Sequence, residues 1–171
     1  MKKLIFSFVF MLLPLLATAQ QSVPAFKFAY FSYDKVFRAM ADYAAATRNL
    51  NDLKAKYDAE TKRSVEDFNN RYEDFLDVQS KLEPSILSKR QAELEELMDR
   101  NIAFRKESER LLKKAEEDIY APVRTKLNNV VRGMGKERGY AFILNTDNNG
   151  LPFANTTMGE DITDALITVL K

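Results

Sequence analysis

Leu82-Glu83-Pro84-Ser85-Ile86-Leu87-Ser88-Lys89-Arg90-Gln91, residues 82–91, decides the fold. It lies in the middle of ninety-nine residues, Asp34 to Arg132, that hold no glycine and only one other proline, Pro122. Glycine and proline punctuate structure. A stretch this long, rich in Ala, Leu, Lys, Glu and Arg, therefore reads as long helix. Pro84 cannot continue a helix interior. Ser88, with Gln91 three residues later, has the form of a capping box. The spacing predicts one helix ending near Leu82 and another starting near Ser88, with Pro84 and Ser88 marking the tip of a hairpin.

Working outward, apolar residues recur at steps of three and four on both sides of the break. Before it come Met40, Tyr43, Leu50, Leu53, Tyr57, Val65, Phe68, Tyr72 and Phe75; after it come Leu94, Leu97, Met98, Phe104, Leu111, Ile119 and Leu127. This is a heptad-like stripe, interrupted by Thr47, Thr61 and Asn101. A disordered segment would lack both the aromatics and the period. Folded antiparallel, facing residues should carry numbers summing to about 171, because both arms rise equally per residue. Phe68 then meets Phe104, Tyr72 meets Met98, Phe75 meets Leu97, Leu53 meets Ile119, Tyr43 meets Leu127 and Met40 meets Val131. Each arm would be about 70 Å long.

All five glycines lie after residue 132, where the pattern changes. Phe28-Ala29-Tyr30-Phe31 reads as a buried strand before a helix start at Ser32 to Asp34. Tyr140 to Leu144 reads as a second strand. Asp147-Asn148-Asn149-Gly150 is turn chemistry, and Leu151 to Ala154 would complete a β-hairpin. Asp161 to Leu170 is a last amphipathic helix, and Pro122 should kink the returning arm. The expected fold is α+β, mostly α: a long antiparallel helical hairpin on a small β-sheet body. The body takes in about 26–36 and 120–171, the hairpin about 37–119, with its tip near 83–88.

The N-terminus has its own logic. Lys2 and Lys3 precede a short apolar run, Leu4 to Leu16, and Ala17-Thr18-Ala19 has the form of a cleavage site. This reads as a signal peptide over 1–19; the run is too short to span a bilayer of ~30 Å. Residues 20–171 then form a single exported domain. The chain has no His, no Cys and no Trp. A catalytic His, a thiol nucleophile, a Cys/His metal site and disulfides are thereby excluded.

Lys plus Arg is 26 and Asp plus Glu is 25, so no net basic field points to nucleic acid. Residues 34–132 hold 20 basic and 20 acidic side chains. They read as solvated helix faces without a like-signed block. Gly133-Met134-Gly135-Lys136 lacks the full phosphate-loop spacing, and its glycines read as ending a helix. Asp147 to Gly150 lacks the further ligands of a calcium loop. The expectation is no catalytic residue, no metal and no cofactor. A two-helix hairpin has little interior, so some apolar residues must face solvent or a partner. Those off the seam, Leu76, Val78, Ile86, Ile102 and Leu112, are the candidates for binding.

Taken in order, these segments resemble the OmpH/Skp family of periplasmic chaperones. The likeness rests on Phe28 to Phe37, Ala41 to Ala45, Ala121-Pro122-Val123, Gly139 to Asn145, Ala154-Asn155 and Asp161-Ile162-Thr163, around the glycine-free hairpin. The resemblance implies a jellyfish-like homotrimer in the periplasm, whose hairpins hang as tentacles around a cavity. It implies an ATP-independent holdase for unfolded outer-membrane proteins; of the off-seam residues, Leu76, Val78, Ile102 and Leu112 would then be the client contacts. The family's best-known members are basic, and a basic cluster on their tentacles is linked to lipopolysaccharide. Without the signal peptide this chain is net −1 and matches no such cluster, which argues against lipopolysaccharide or membrane contact. The alternative is a structural coiled-coil spacer or adaptor of the cell envelope.

Overall fold

A computed structural model describes residues 26–171; the signal peptide expected over 1–19 lies outside the described residues. Strand β1 is Phe28–Phe31, helix α1 Tyr33–Ala39, helix α2 Ala41–Val78 and helix α3 Pro84–Arg138. Strand β2 (Ile143–Asn145), strand β3 (Gly159–Asp161) and helix α4 (Thr163–Leu170) complete the chain. The molecule is mostly helical with one small sheet.

The sheet has the order β2-β1-β3, and both outer strands run parallel to β1. Ala29 pairs with Ile143 on one side and with Glu160 on the other. Two strand expectations are corrected here. The second strand begins at Ile143 rather than Tyr140. The third is Gly159–Asp161, so Leu151 to Ala154 is no strand and the β-hairpin does not form. Asp147 to Gly150 does turn, as a single 3-10 turn with Asn148 and Asn149 at positive φ. The chain then crosses to the far edge of β1, and a parallel strand there needs a long connection rather than a tight turn.

The core gathers where the sheet meets the helices. Ala29, Val36, Met40, Leu127, Ile162 and Leu166 are all but completely buried. α4 turns Leu166 and Leu170 into this core. An aromatic chain links Tyr33, Phe37, Tyr43 and Tyr120 at ring separations of 5.6, 5.2 and 5.4 Å. The Tyr120 hydroxyl and Thr47 Oγ1 share a hydrogen bond of 2.9 Å. Thr47, a polar interruption of the stripe, is thus satisfied at the base of the arms.

At the tip, α2 ends at Val78 and a 3-10 turn, Gln79–Lys81, leads to Leu82. α3 starts at Pro84, with Glu83 as its N-cap. Ser88 is therefore not a cap but an exposed residue inside the helix. Proline at the first helical position loses nothing, since its missing N–H would be unpaired there anyway. Starting α3 four residues early moves the whole register. Tyr120 meets Thr47 rather than residue 51, and Asn101 Nδ2 donates to the Ser64 carbonyl rather than facing residue 70. Tyr72 and Met98, expected to meet in the seam, stand 45% and 46% exposed.

α3 continues through Pro122. Proline removes the N–H that would reach the carbonyl four residues back, and nearby the Arg124 guanidinium donates to the Glu117 carbonyl at 3.1 Å. Gly133 and Gly135 do not end the helix; both lie within it. Gly135 faces Ile143, whose Cδ1 a Cβ would meet at 3.2 Å, so its bareness lets β2 approach. The stop is Gly139, in the left-handed conformation at φ 67°, where its N–H donates to the Gly135 carbonyl.

Candidate functional site

The arms differ from the body in how little they cover. Between residues 51 and 119 no apolar side chain is buried; the one buried residue is Ser108, whose hydroxyl donates to the Phe104 carbonyl at 2.8 Å. Two helices alone can bury only a narrow seam on each other. The seam here is half-covered: Leu53, Tyr57, Phe68, Phe75, Leu94, Leu97 and Phe104 are each partly open. Tyr57 and Phe104 meet across it at 6.2 Å. Asn101, the polar residue on the α3 stripe, ties one arm to the other through Ser64. A polar residue on such a seam specifies register at some cost in stability.

Outside the seam the apolar surface continues. Leu76, Val78 and Ile102 are exposed, Ile102 by 52%, as the sequence placed them. Leu112 is only half-exposed, which makes it the weakest of the four expected contacts. Ile86, also expected off the seam, is exposed as well, and the structure adds Val65, Tyr72 and Met98 to the exposed set. The early start of α3 turned Val65, Tyr72 and Met98 out of the seam.

Two grooves run between the arms. The one at the tip encloses about 760 Å³ and is lined on its apolar side by Phe75, Val78, Leu82, Ile86, Leu94 and Leu97. A second, of about 230 Å³, lies further up, where Val65, Phe68, Met98, Ile102 and Phe104 converge. Val78 and Ile102 each line one; Leu76 and Leu112 line neither. The expected contacts are thus spread along both arms rather than gathered in one site.

Charge does not hold the arms together. The eight ion pairs between residues 60 and 110, such as Arg71–Asp67 and Arg110–Glu107, each join residues three or four apart on one helix. Such exposed pairs contribute little each. Among the described residues, the cross-arm ion pair is Lys126 with Asp42 at 2.6 Å, beside the body. The arms are therefore joined by an incomplete apolar seam rather than by ion pairs.

Nor is the charge even along the arms, although the totals balance. Residues 66–99 around the tip carry ten acidic and four basic side chains. Residues 54–63 and 100–114 above them carry ten basic and four acidic ones. This adds a segregation by sign to the reading of solvated helix faces without a like-signed block. A count over the whole stretch hid the segregation, which a shorter window exposes.

The body offers apolar surface too. Phe142 lies 5.1 Å from Phe26 and 5.6 Å from Phe28, ring to ring. Phe153 is 79% exposed, and Val169 and Met158 are also open. The outer edges of β2 and β3 have no strand beside them among the described residues. No described helix is long and apolar enough to cross a membrane.

A model of one protein family, the OmpH-like outer membrane proteins, matches residues 27–170. The chain belongs to the OmpH-like family. The match spans the sheet, both arms and the last helix. This OmpH-like chain is also similar in fold to a solved protein of Caulobacter crescentus, a candidate OmpH-like outer membrane chaperone. The two share 18% identity at a TM-score of 0.69, over 86% of this chain and 85% of that one. A comparison with curated proteins finds no match.

Proposed function

We propose that this chain is an ATP-independent holdase chaperone of the periplasm, binding unfolded outer-membrane proteins and preventing their aggregation in transit. The observation that carries this reading is the uncovered apolar stripe of the arms, from Val65 and Ile102 down to Val78 and Ile86. A holdase that releases without fuel needs many weak contacts over a large surface. An aliphatic side chain contributes roughly 1.5–3 kcal/mol when fully buried, and less against a mobile client. Membership of the OmpH-like family supports the same reading. A coiled-coil spacer, by contrast, would have its apolar residues satisfied within the seam.

The working unit is a homotrimer in which the sheets form a shared body and the three hairpins surround the client. A three-strand sheet of such short strands, with both edges open, supports this reading, as does the apolar surface around Phe153 and Val169. Exposed strand edges are normally covered. Mass measurement in solution at micromolar concentration should give three chains, and a stable monomer would overturn the trimer.

The test of client capture is light scattering from an unfolded β-barrel protein diluted out of denaturant. Changing Leu76, Val78, Ile102 and Leu112 together to Gln should keep helicity and assembly but weaken protection. Protection of the parent should survive ~0.5 M salt, which screens charge and leaves apolar contact intact. A quadruple variant that protects as well as the parent, with protection abolished by salt, would refute apolar capture.

A further inference from the structure

We propose that the groove at the arm tips docks cationic apolar segments of polypeptide, selecting them by charge. The inference rests on the client-capture reading above and names which parts of a client reach the tips. The groove floor is apolar and its open volume of about 760 Å³ takes several side chains. Asp74, Asp77, Glu93 and Glu96 stand along its walls beside Arg71, Arg90 and Arg100, and Arg71 is held by Asp67 on α2. Glu93 is paired with Arg90 and Lys89, and Glu96 with Arg100, within α3. Asp74 and Asp77 have no cation within ion-pair distance among the described residues, nor do Glu73, Glu83, Glu95 or Asp99.

The arginines of the groove are thus each paired, while Asp74 and Asp77 stand uncompensated beside its apolar floor, at the end of arms whose total charge is zero. Within a single chain this concentration does nothing for the fold, because like charges on neighbouring turns repel. A partner that brings Lys or Arg beside apolar residues would satisfy both features at once. An anionic segment would meet repulsion from the same walls. The field is local, since screening confines it to about 8–10 Å in ordinary salt. Just above it the arms turn basic, so a long client is sorted by sign along the hairpin: cationic stretches at the tip, anionic ones higher.

The experiment uses the full exported chain and two labelled nine-residue peptides, one of Lys and Leu, the other with Glu in place of Lys. Fluorescence anisotropy reads binding directly, so its outcome is separate from the aggregation assay. The Lys peptide should bind, at least ~10-fold more tightly than the Glu peptide. Raising salt from ~0.05 to ~0.5 M should weaken it by a similar factor, as expected of a screened attraction. Asp74→Asn with Asp77→Asn leaves every intrahelical ion pair in place and should weaken the Lys peptide several-fold. Glu107→Gln with Glu109→Gln removes the same charge higher up and should not. Failure of the Lys peptide to bind, equal binding of both peptides, or equal effects of the two double variants each overturns the proposal. So does self-association of the chain that Asp74→Asn with Asp77→Asn abolishes while peptide binding is absent; the tip would then be an interface between copies.

Discussion

The carboxylate of Asp147 caps α1 at its N-terminus, accepting a hydrogen bond from the Asp34 backbone N–H at 2.7 Å across 113 residues of sequence. Its other oxygen accepts from the Ser32 hydroxyl, also at 2.7 Å. Ser32 is the N-cap itself and accepts from the Lys35 N–H. The Tyr33 N–H donates to Asn145, and the Ser32 N–H to Thr163. The unpaired donors at the start of α1 are thus shared out among residues at the C-terminal ends of all three strands.

Asp147→Ala should therefore destabilise the body, although Asp147 opens a turn whose other residues are exposed. Two hydrogen bonds to a charged acceptor are lost, and about 1–3 kcal/mol is expected. Urea unfolding monitored by circular dichroism measures it. A change below ~0.5 kcal/mol, the scale of an ordinary surface substitution, would show that Ser32 caps α1 unaided.

The tip separates two substitutions that the sequence treats alike. Ser88→Ala removes no cap and places a better helix former on an exposed turn, so stability should rise by up to ~0.5 kcal/mol. Pro84→Ala frees the unfolded chain at the first helical position and should cost about 0.4–1 kcal/mol. A loss of 0.5–2 kcal/mol on Ser88→Ala, the usual figure for an N-cap, would restore Ser88 as the helix start.

Gly159 leaves no room for a side chain. A Cβ there would overlap the ring of Phe28, which itself packs against Tyr30 and Phe142. Gly159→Ala must displace an aromatic ring of the body and should cost about 1–3 kcal/mol, the range for overpacking. The companion variant Gly159→Ala with Phe28→Leu should recover part of the loss. No recovery would locate the strain elsewhere.

Acid should loosen the body through Glu160. Hydrogen bonding from the Tyr140 hydroxyl, and then from Lys27, holds the Glu160 carboxyl below its ordinary value, with the Lys27 and Arg138 charges adding to it. A depressed folded-state pKa contributes stability above the unfolded value and loses it as pH falls through the folded one. The loss should begin near pH 5 and deepen below it. Because Glu160 is well exposed, solvent screening keeps the effect small. In Glu160→Gln the thermal midpoint should fall less steeply between pH 5 and 3. Parallel curves for parent and variant would remove Glu160 from the acid limb.

The arms should exchange amide hydrogens sooner than the body. Local opening follows local burial, and the apolar core lies entirely outside residues 51–119. Amides near Phe68 and Ile102 should exchange before those of Val36, Leu127 and Leu166. Equal protection would mean that the arms are buried against one another in the assembly.

Much of this architecture is legible without coordinates, and the legible parts share a cause. Pro84, the glycine-free stretch and the stripe from Met40 to Leu127 are local signals. Helix formation depends on steps of three and four and on residues that interrupt them, both present in the chain itself. The exposed Leu76, Val78 and Ile102 follow from the same periodicity. The register was not legible, because it turns on whether α3 begins at Pro84 or Ser88. Both are acceptable helix starts locally, and the four residues between them rotate Tyr72 and Met98 out of the seam. The third strand was hidden for a similar reason: Leu151-Pro152-Phe153-Ala154 is the more apolar segment, yet Gly159-Glu160-Asp161 is the strand. Only Gly159 fits under Phe28, and Glu160 finds Tyr140, Lys27 and Arg138.

The sequence by itself determined the two long helices, that they break near Pro84, the first strand and the absence of thiol and imidazole chemistry, because each is a property of neighbouring residues; the shorter break at Met40 between α1 and α2 it did not show. Tertiary structure alone decided the parallel order β2-β1-β3, the part Asp147 plays at Asp34, and the opening of the tip groove. Each of these joins residues far apart in the chain, and their pairing is selected by which of many locally adequate segments fit one core together.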